Sequence, residues 1–198
     1  MKTFMLVLLL LITTAAFAQD NSVVFRLASS HYSGERTSTD AGDNIPFSLS
    51  SSAGYGIGYA HQFSPSFSAA FDVMRLRPKA RTDVDELRLD AGTLSLTPIM
   101  AIARVHARYA YAGAGLAYVT AGDLHSADLD SSGIGRISVD NDFTYVLNAG
   151  ASIPAGKSLH IELDARYFPV SVRASTPNEK GSLKFNTLLV GVGIGWHF

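Results

Sequence analysis

The stretch Leu188-Leu189-Val190-Gly191-Val192-Gly193-Ile194-Gly195-Trp196-His197-Phe198 decides the fold. Read with a period of two, Leu188, Val190, Val192, Ile194, Trp196 and Phe198 make one apolar stripe. The opposite face is Gly191, Gly193, Gly195 and His197. A face of glycines packs poorly as either side of a soluble core. It suits the inside of a narrow barrel, where large side chains from neighbouring strands need room.

The segment just upstream, Ser158–Val172, alternates even more clearly. Leu159, Ile161, Leu163, Ala165 and Tyr167 share one face, and His160, Glu162, Asp164 and Arg166 share the other. A soluble sandwich turns such an apolar face inward. A membrane barrel turns it to lipid and lines its lumen with the charges. Six more segments of this kind precede these two, at Val23–Ser33, Ser50–Phe63, Ser66–Arg77, Gly92–Arg104, Arg108–Thr120 and Val139–Ile153, with the last one running from Phe185 to Phe198.

Their connections alternate in length. Ser64-Pro65, Val105–Ala107 and Pro154–Lys157 are short. Gly34–Leu49, Pro78–Ala91, Ala121–Ser138 and Arg173–Lys184 are long and polar. This is the pattern of periplasmic turns and extracellular loops in an eight-stranded antiparallel transmembrane β-barrel of the outer-membrane type. A soluble lipocalin-like barrel has no need of it. Aromatic side chains are expected at the interfaces: Phe63, Phe67, Tyr109, Tyr111, Trp196 and Phe198 near the short turns, and Phe25, Tyr118, Phe143, Tyr145, Tyr167 and Phe168 in mid-barrel and in an outer girdle.

Export is expected from the first residues. Lys2 supplies a positive start, Met5–Ile12 is an unbroken apolar run, and Ala16-Phe17-Ala18 has the small-x-small pattern of a signal-peptidase site. The run is shorter than the ~20 residues of a spanning helix. Residues 1–18 are therefore read as a cleaved signal peptide, and residues 19–198 as the outer-membrane barrel domain. The absence of cysteine excludes disulfides, thiolate metal sites and a lipoprotein anchor. A net charge of −1 gives no sign of nucleic-acid binding.

The ordered motifs resemble the OmpW family of outer-membrane proteins. They are Leu96-Thr97-Pro98-Ile99-Met100-Ala101, Tyr111-Ala112-Gly113-Ala114-Gly115-Leu116-Ala117-Tyr118, Leu147-Asn148-Ala149-Gly150, Asp164-Ala165-Arg166-Tyr167-Phe168 and Gly193-Ile194-Gly195-Trp196-His197-Phe198. The resemblance implies a monomeric eight-stranded barrel that passes small hydrophobic molecules through a narrow lumen. It also implies that Ile194, Trp196 and Phe198 carry the signal read by the outer-membrane assembly machinery. At Arg166 the family carries a bulky apolar lumen residue, so the lumen here reads as more polar and more ion-paired.

Candidate lumen residues follow from strand parity. Arg26, Asp72, Glu162, Asp164 and Arg166 are expected to point inward, either as a polar pathway or as a plug of paired charges. Leu94, Leu96 and Met100 are expected to give smooth apolar surfaces to a pathway, with an opening between strands that releases solute into lipid. Glycine runs such as Gly54-Tyr55-Gly56-Ile57-Gly58 repeat every second residue inside strands, unlike a phosphate-binding loop. His31 and Ser33, with Glu35 nearby, are the one local arrangement resembling a hydrolytic triad; solvated rim residues are the preferred reading. The other histidines lie at no ligand spacing, so neither a metal nor a cofactor is expected. Asp123, Asp128 and Asp130 are read as solvated loop carboxylates rather than as a cation bridge to lipopolysaccharide.

The expectation is an integral outer-membrane protein without enzymatic activity. Its partners would be outer-membrane lipid, lipopolysaccharide, the assembly machinery and a small hydrophobic solute. The alternative is a structural or adhesive barrel with a plugged lumen, acting through its extracellular loops.

Overall fold

The structure is a computed structural model that describes residues 21–39, 44–45, 47–84, 87–124, 126–127, 131, 137–175 and 180–198; the side chains at 35–39, 44–45, 82–84, 87–89 and 180 are outside that description. The expected signal peptide, Gln19, His125, Asp128, Asp130 and the side chain of Glu35 lie outside the described residues. The strands, in chain order, are β1 (Asn21–Thr39), β2 (Asn44–Ile45), β3 (Phe47–Leu49), β4 (Ser52–Ser64), β5 (Phe67–Leu76), β6 (Lys79–Val84), β7 (Leu87–Thr93), β8 (Leu96–Ala107), β9 (Ala110–Ala121), β10 (Ser138–Val139), β11 (Asp142–Pro154), β12 (Leu159–Ser175) and β13 (Lys180–His197).

Eight of them close a ring. β1 pairs β4, and the antiparallel ladder continues through β5, β8, β9, β11, β12 and β13 back to β1. Closure removes the exposed strand edges that hydrocarbon does not tolerate. Asn21 and the C-terminal Phe198 exchange backbone hydrogen bonds of 3.3 and 2.9 Å, which ties the two ends of the wall together beside the short turns.

Burial along the strands is inverted relative to a soluble protein. Ile194 is 62% exposed and Leu163 49%, whereas Glu162 is 4% and Arg166 1% exposed. The apolar stripes of β12 and β13 thus lie outside and the charges inside, as parity predicts for a membrane barrel. The inward glycines make the room expected of them. A Cβ on Gly195 would overlap the His160 ring, and one on Gly58 would overlap the Asp72 carboxylate and the Arg26 guanidinium.

Three sequence expectations need correction. The turn between β8 and β9 is Arg108-Tyr109 rather than Val105–Ala107, with Arg108 at φ 57°. A positive φ at the first central position is what a primed hairpin turn demands, and the turn ends β8 three residues later and starts β9 two residues later than composition suggested. The long connections are not all loops: β1, β12 and β13 run past the expected ends, and β3, β6 and β7 form a separate three-stranded sheet. Finally, Tyr111 and Phe168 are buried inside instead of joining a girdle. Tyr167 and Phe168 are adjacent in one strand, so only one of them can face lipid.

Candidate functional site

The inward row of β12 records the character of the whole lumen. From the short-turn end it reads His160, Glu162, Asp164 and Arg166, then Phe168, Val170 and Val172, all buried. The other strands repeat the change. β8 contributes Leu96, Met100 and Ile102 and then Arg104, and β5 contributes Leu76 and Met74 and then Asp72.

The charged half is built around Arg26. Its guanidinium reaches Asp72 through Nη1 and Glu162 through Nη2, and its Nε lies 3.7 Å from Asp164. Arg104 closes the other side, 3.7 Å from Asp72 and 3.8 Å from Glu162. Arg104 Nε donates to Asn148 Oδ1 at 2.9 Å, and Asn148 Nδ2 donates to the Ala165 carbonyl at 3.2 Å. Its guanidinium also sits 4.6 Å from the centre of the Tyr111 ring. Arg166 Nε donates to Asp164 Oδ2 at 2.7 Å. Arg166 Nη2 is 2.6 Å from the same oxygen, but only the Nε–H is aligned as a hydrogen bond. A further 3.4 Å separates Arg166 from Asp72.

Three guanidiniums thus face three carboxylates, and the formal charges cancel. Balance matters because a buried ion without a partner is far more costly than the same ion in a network. Nearer the short turns, His160 lies 3.5 Å from Glu162 and stacks on His197 with ring centres 4.2 Å apart. His106 shares a 2.7 Å hydrogen bond with Ser68.

The apolar half starts where Arg166 Nη1 meets the sulfurs of Met74 and Met100, at 3.9 and 3.8 Å. Beyond it, Leu94, Leu96, Val119, Val146, Phe168, Val170, Leu183 and Phe185 pack into one cluster. The barrel wall here has a seam. The β11–β12 ladder stops at Leu147↔Tyr167, so residues 142–146 and 168–172 are unpaired across it, and pairing resumes at Val139↔Ala174. Pro169 has no N–H to give. Across the seam, the Ser171 N–H donates to Asp142 Oδ2 at 2.7 Å.

Parity placed Arg26, Asp72, Glu162, Asp164 and Arg166 inward, and the structure brings them into one network. Leu94, Leu96 and Met100 are also inside, fully buried in the apolar half. Ile194, Trp196 and Phe198 lie on the outer face. Arg104, Tyr111 and Asn148 are network members that strand reading did not assign to the lumen, while His160 was placed on the lumen face of its strand but not named as a site residue. For Arg104 the signal was present, because Met100, Ile102 and Arg104 continue one face, but the residue stood at a segment end. His31 does not engage Ser33. Its ring nitrogens meet Ser29 at 3.3 Å and Ser51 at 3.1 Å on the exposed surface. The Asp123 carboxylate accepts from Ser138 at 3.2 Å and from the Val139 N–H at 3.4 Å, so it holds β10 in place.

A closed antiparallel ring of eight strands with an apolar exterior and a charged interior defines an outer-membrane β-barrel. The chain belongs to the family described as the outer membrane protein beta-barrel domain, whose model matches residues 4–198, and that family places it in the outer membrane. No curated protein matches the sequence. Among solved structures it is similar to the outer membrane protein OprG from Pseudomonas aeruginosa (TM-score 0.74, 12% identity, 90% of this chain and 97% of that one). It is also similar to the outer membrane protein AlkL in DMPC lipid bilayers (TM-score 0.65, 15% identity, 92% of each chain). A third is outer membrane protein W of E. coli (TM-score 0.53, 12% identity, 90% and 98%). At these identities the likeness is one of fold, and the fold is OmpW-like.

Proposed function

We propose that this barrel takes small apolar molecules into the loop-end half of its lumen and releases them sideways into the bilayer. The observation that carries this reading is the change along β12 from Asp164 and Arg166 to Phe168 and Val170. An apolar solute gains nothing by crossing a balanced layer of six buried charges, where it would have to separate ion pairs. Above that layer it meets hydrocarbon-like walls. The unpaired stretch between β11 and β12 spans about 15 Å of wall at ~3.4 Å per residue. It is the natural place for the wall to part, since few backbone hydrogen bonds need to break there. Leu94, Leu96 and Met100 then act as the packed lining that a solute displaces, and Arg26, Asp72, Glu162, Asp164 and Arg166 act as the floor.

In this reading the protein is not an enzyme, and it reaches the outer membrane through a cleaved signal peptide. Ile194, Trp196 and Phe198 are read by the assembly machinery on the way. A second reading has a specific observation behind it. Leu94, Leu96 and Met100 have no exposed surface, which suits a permanently plugged barrel that works through its loops.

One experiment separates the two. The chain contains no cysteine, so Asp142→Cys with Ser171→Cys creates a unique thiol pair across the seam. Liposomes carrying this variant should take up an apolar probe while the thiols are free, and lose that uptake once a short thiol cross-linker joins them. Uptake that ignores the cross-link overturns the lateral route. No uptake by the wild type or by either state of the variant supports the plugged barrel instead.

A further inference from the structure

The outward row of β5 changes character abruptly. Phe67, Ala69, Phe71 and Val73 are apolar or small; the next outward positions are Arg75, Arg77, Lys79 and Arg81, all exposed. The alternation survives the break between β5 and β6, because Leu76, Pro78 and Ala80 remain buried between the cations. Four cations therefore stand on one face of one ascending ribbon, about 7 Å apart and spanning about 20 Å.

The row starts at the edge of the hydrocarbon. Arg75 follows lipid-facing Val73 and pairs across the ladder with Tyr55, which is 61% exposed. An amphipathic ring beside a guanidinium is the usual mark of the headgroup level. The row then climbs toward the loop end, away from the termini and the short turns. Among the described residues, none of the four takes part in an ion pair, whereas the arginines of the lumen do. Among the described side chains, the acidic residue opposite the row is Asp90, which faces Arg81 in the β6–β7 ladder, and its Oδ1 accepts the Gly92 N–H at 2.8 Å. The remaining cross-strand partners, Thr93 beside Lys79 and Ser48 beside Arg81, are uncharged.

From this placement we infer that Arg75, Arg77, Lys79 and Arg81 form a docking surface for the phosphates of a glycolipid in the outer leaflet. Like charges about 7 Å apart in one row repel each other modestly in water, and anions lying between them turn that repulsion into attraction. Arginine matches phosphate oxygens with its planar fork, and lysine does so as a point charge. A phosphate at the level of Arg75 and Arg77 is anchored in the membrane by its acyl chains. Its sugar part reaches the level of Lys79 and Arg81. A soluble acidic polymer would engage the upper cations without needing the lower ones. This inference stands apart from the lateral route, since the row is on the outer surface.

The test uses the full barrel in nanodiscs that contain a phosphorylated outer-leaflet glycolipid, the same lipid with its phosphates removed, and phosphatidylcholine. Lipid retained by the protein is counted by native mass spectrometry. The wild type should retain the phosphorylated form on the order of ten-fold over the dephosphorylated one. The combined Arg75→Gln, Arg77→Gln, Lys79→Gln, Arg81→Gln variant should lose that preference. Arg108→Gln, at the short-turn end, should keep it. Heat-dependent gel mobility reports folding, and Arg75→Gln with Arg77→Gln serves if the fourfold variant does not fold. Equal retention of both lipids by the wild type overturns the inference. So does an undiminished preference in the folded variant, or a soluble acidic polysaccharide competing fully for the site.

Discussion

Arg166 points Nη1 at the sulfur of Met100, 3.8 Å away, and this contact is the boundary between the two halves of the lumen. On one side the same guanidinium holds Asp164 and approaches Asp72. On the other, side chains from β5, β8 and β12 are wholly apolar. The soft, polarisable thioethers of Met74 and Met100 tolerate both neighbours.

Arg166→Met removes one of three cations facing three carboxylates. The expected cost is about 3–5 kcal/mol, the usual penalty for breaking a buried pair from one side. Adding Asp164→Asn restores the charge balance and should recover a large part of the loss. Urea titration of the vesicle-inserted barrel, followed through its single tryptophan, measures both variants. A double variant no more stable than Arg166→Met would show that charge balance does not govern this layer.

Space is the second determinant of the charged half. Gly195 faces His160 across the β12–β13 ladder, and an added methyl group would fall on the imidazole. Gly195→Ala should destabilise by about 1–3 kcal/mol through overpacking. Gly156, in the turn between β11 and β12, has nothing within 4 Å of a would-be Cβ, so Gly156→Ala should change little. The same urea titration compares them, and equal effects would contradict the packing argument.

The lipid-facing stripe predicts a depth dependence. Val192 stands midway along the outward row of β13, and Phe198 at its end. Val192→Arg should cost about 2–4 kcal/mol and Phe198→Arg about 0–1 kcal/mol. A soluble sandwich gives no reason for such a gradient. Refolding into vesicles at graded urea concentrations measures it.

Arg108 occupies a left-handed backbone position, at φ 57°, in the tight turn between β8 and β9. Its guanidinium lies 4.9 Å from the centre of the Tyr109 ring, which offsets part of the strain. Arg108→Gly should be neutral or stabilising, by up to about 1 kcal/mol. A clear loss of stability would mean that the ring contact outweighs the backbone.

The parts of this molecule legible in the sequence are those that strand parity controls. Leu163 and Ile194 outside, with Glu162 and Arg166 inside, follow from alternation in one strand at a time. Which ions meet does not follow, because Arg26, Asp72 and Glu162 come from three strands and their meeting depends on register around the ring. The β6–β7 extension was hidden for a different reason. It carries polar residues on its outer face, and polar composition alone does not distinguish a strand in water from a loop. The seam was hidden as well, since Pro169 marks a missing donor but the loss of pairing from 142 to 146 is a property of two strands together.

The most direct test of the account uses Trp196, the chain's one tryptophan, which is 54% exposed on the outward face of β13. Its fluorescence should be strongly quenched when the barrel is placed in lipids with brominated acyl chains, and only weakly by acrylamide in the water. Strong acrylamide quenching with no response to brominated lipid would mean that the apolar stripes do not face the bilayer, and the assignment of inside and outside would fail with them.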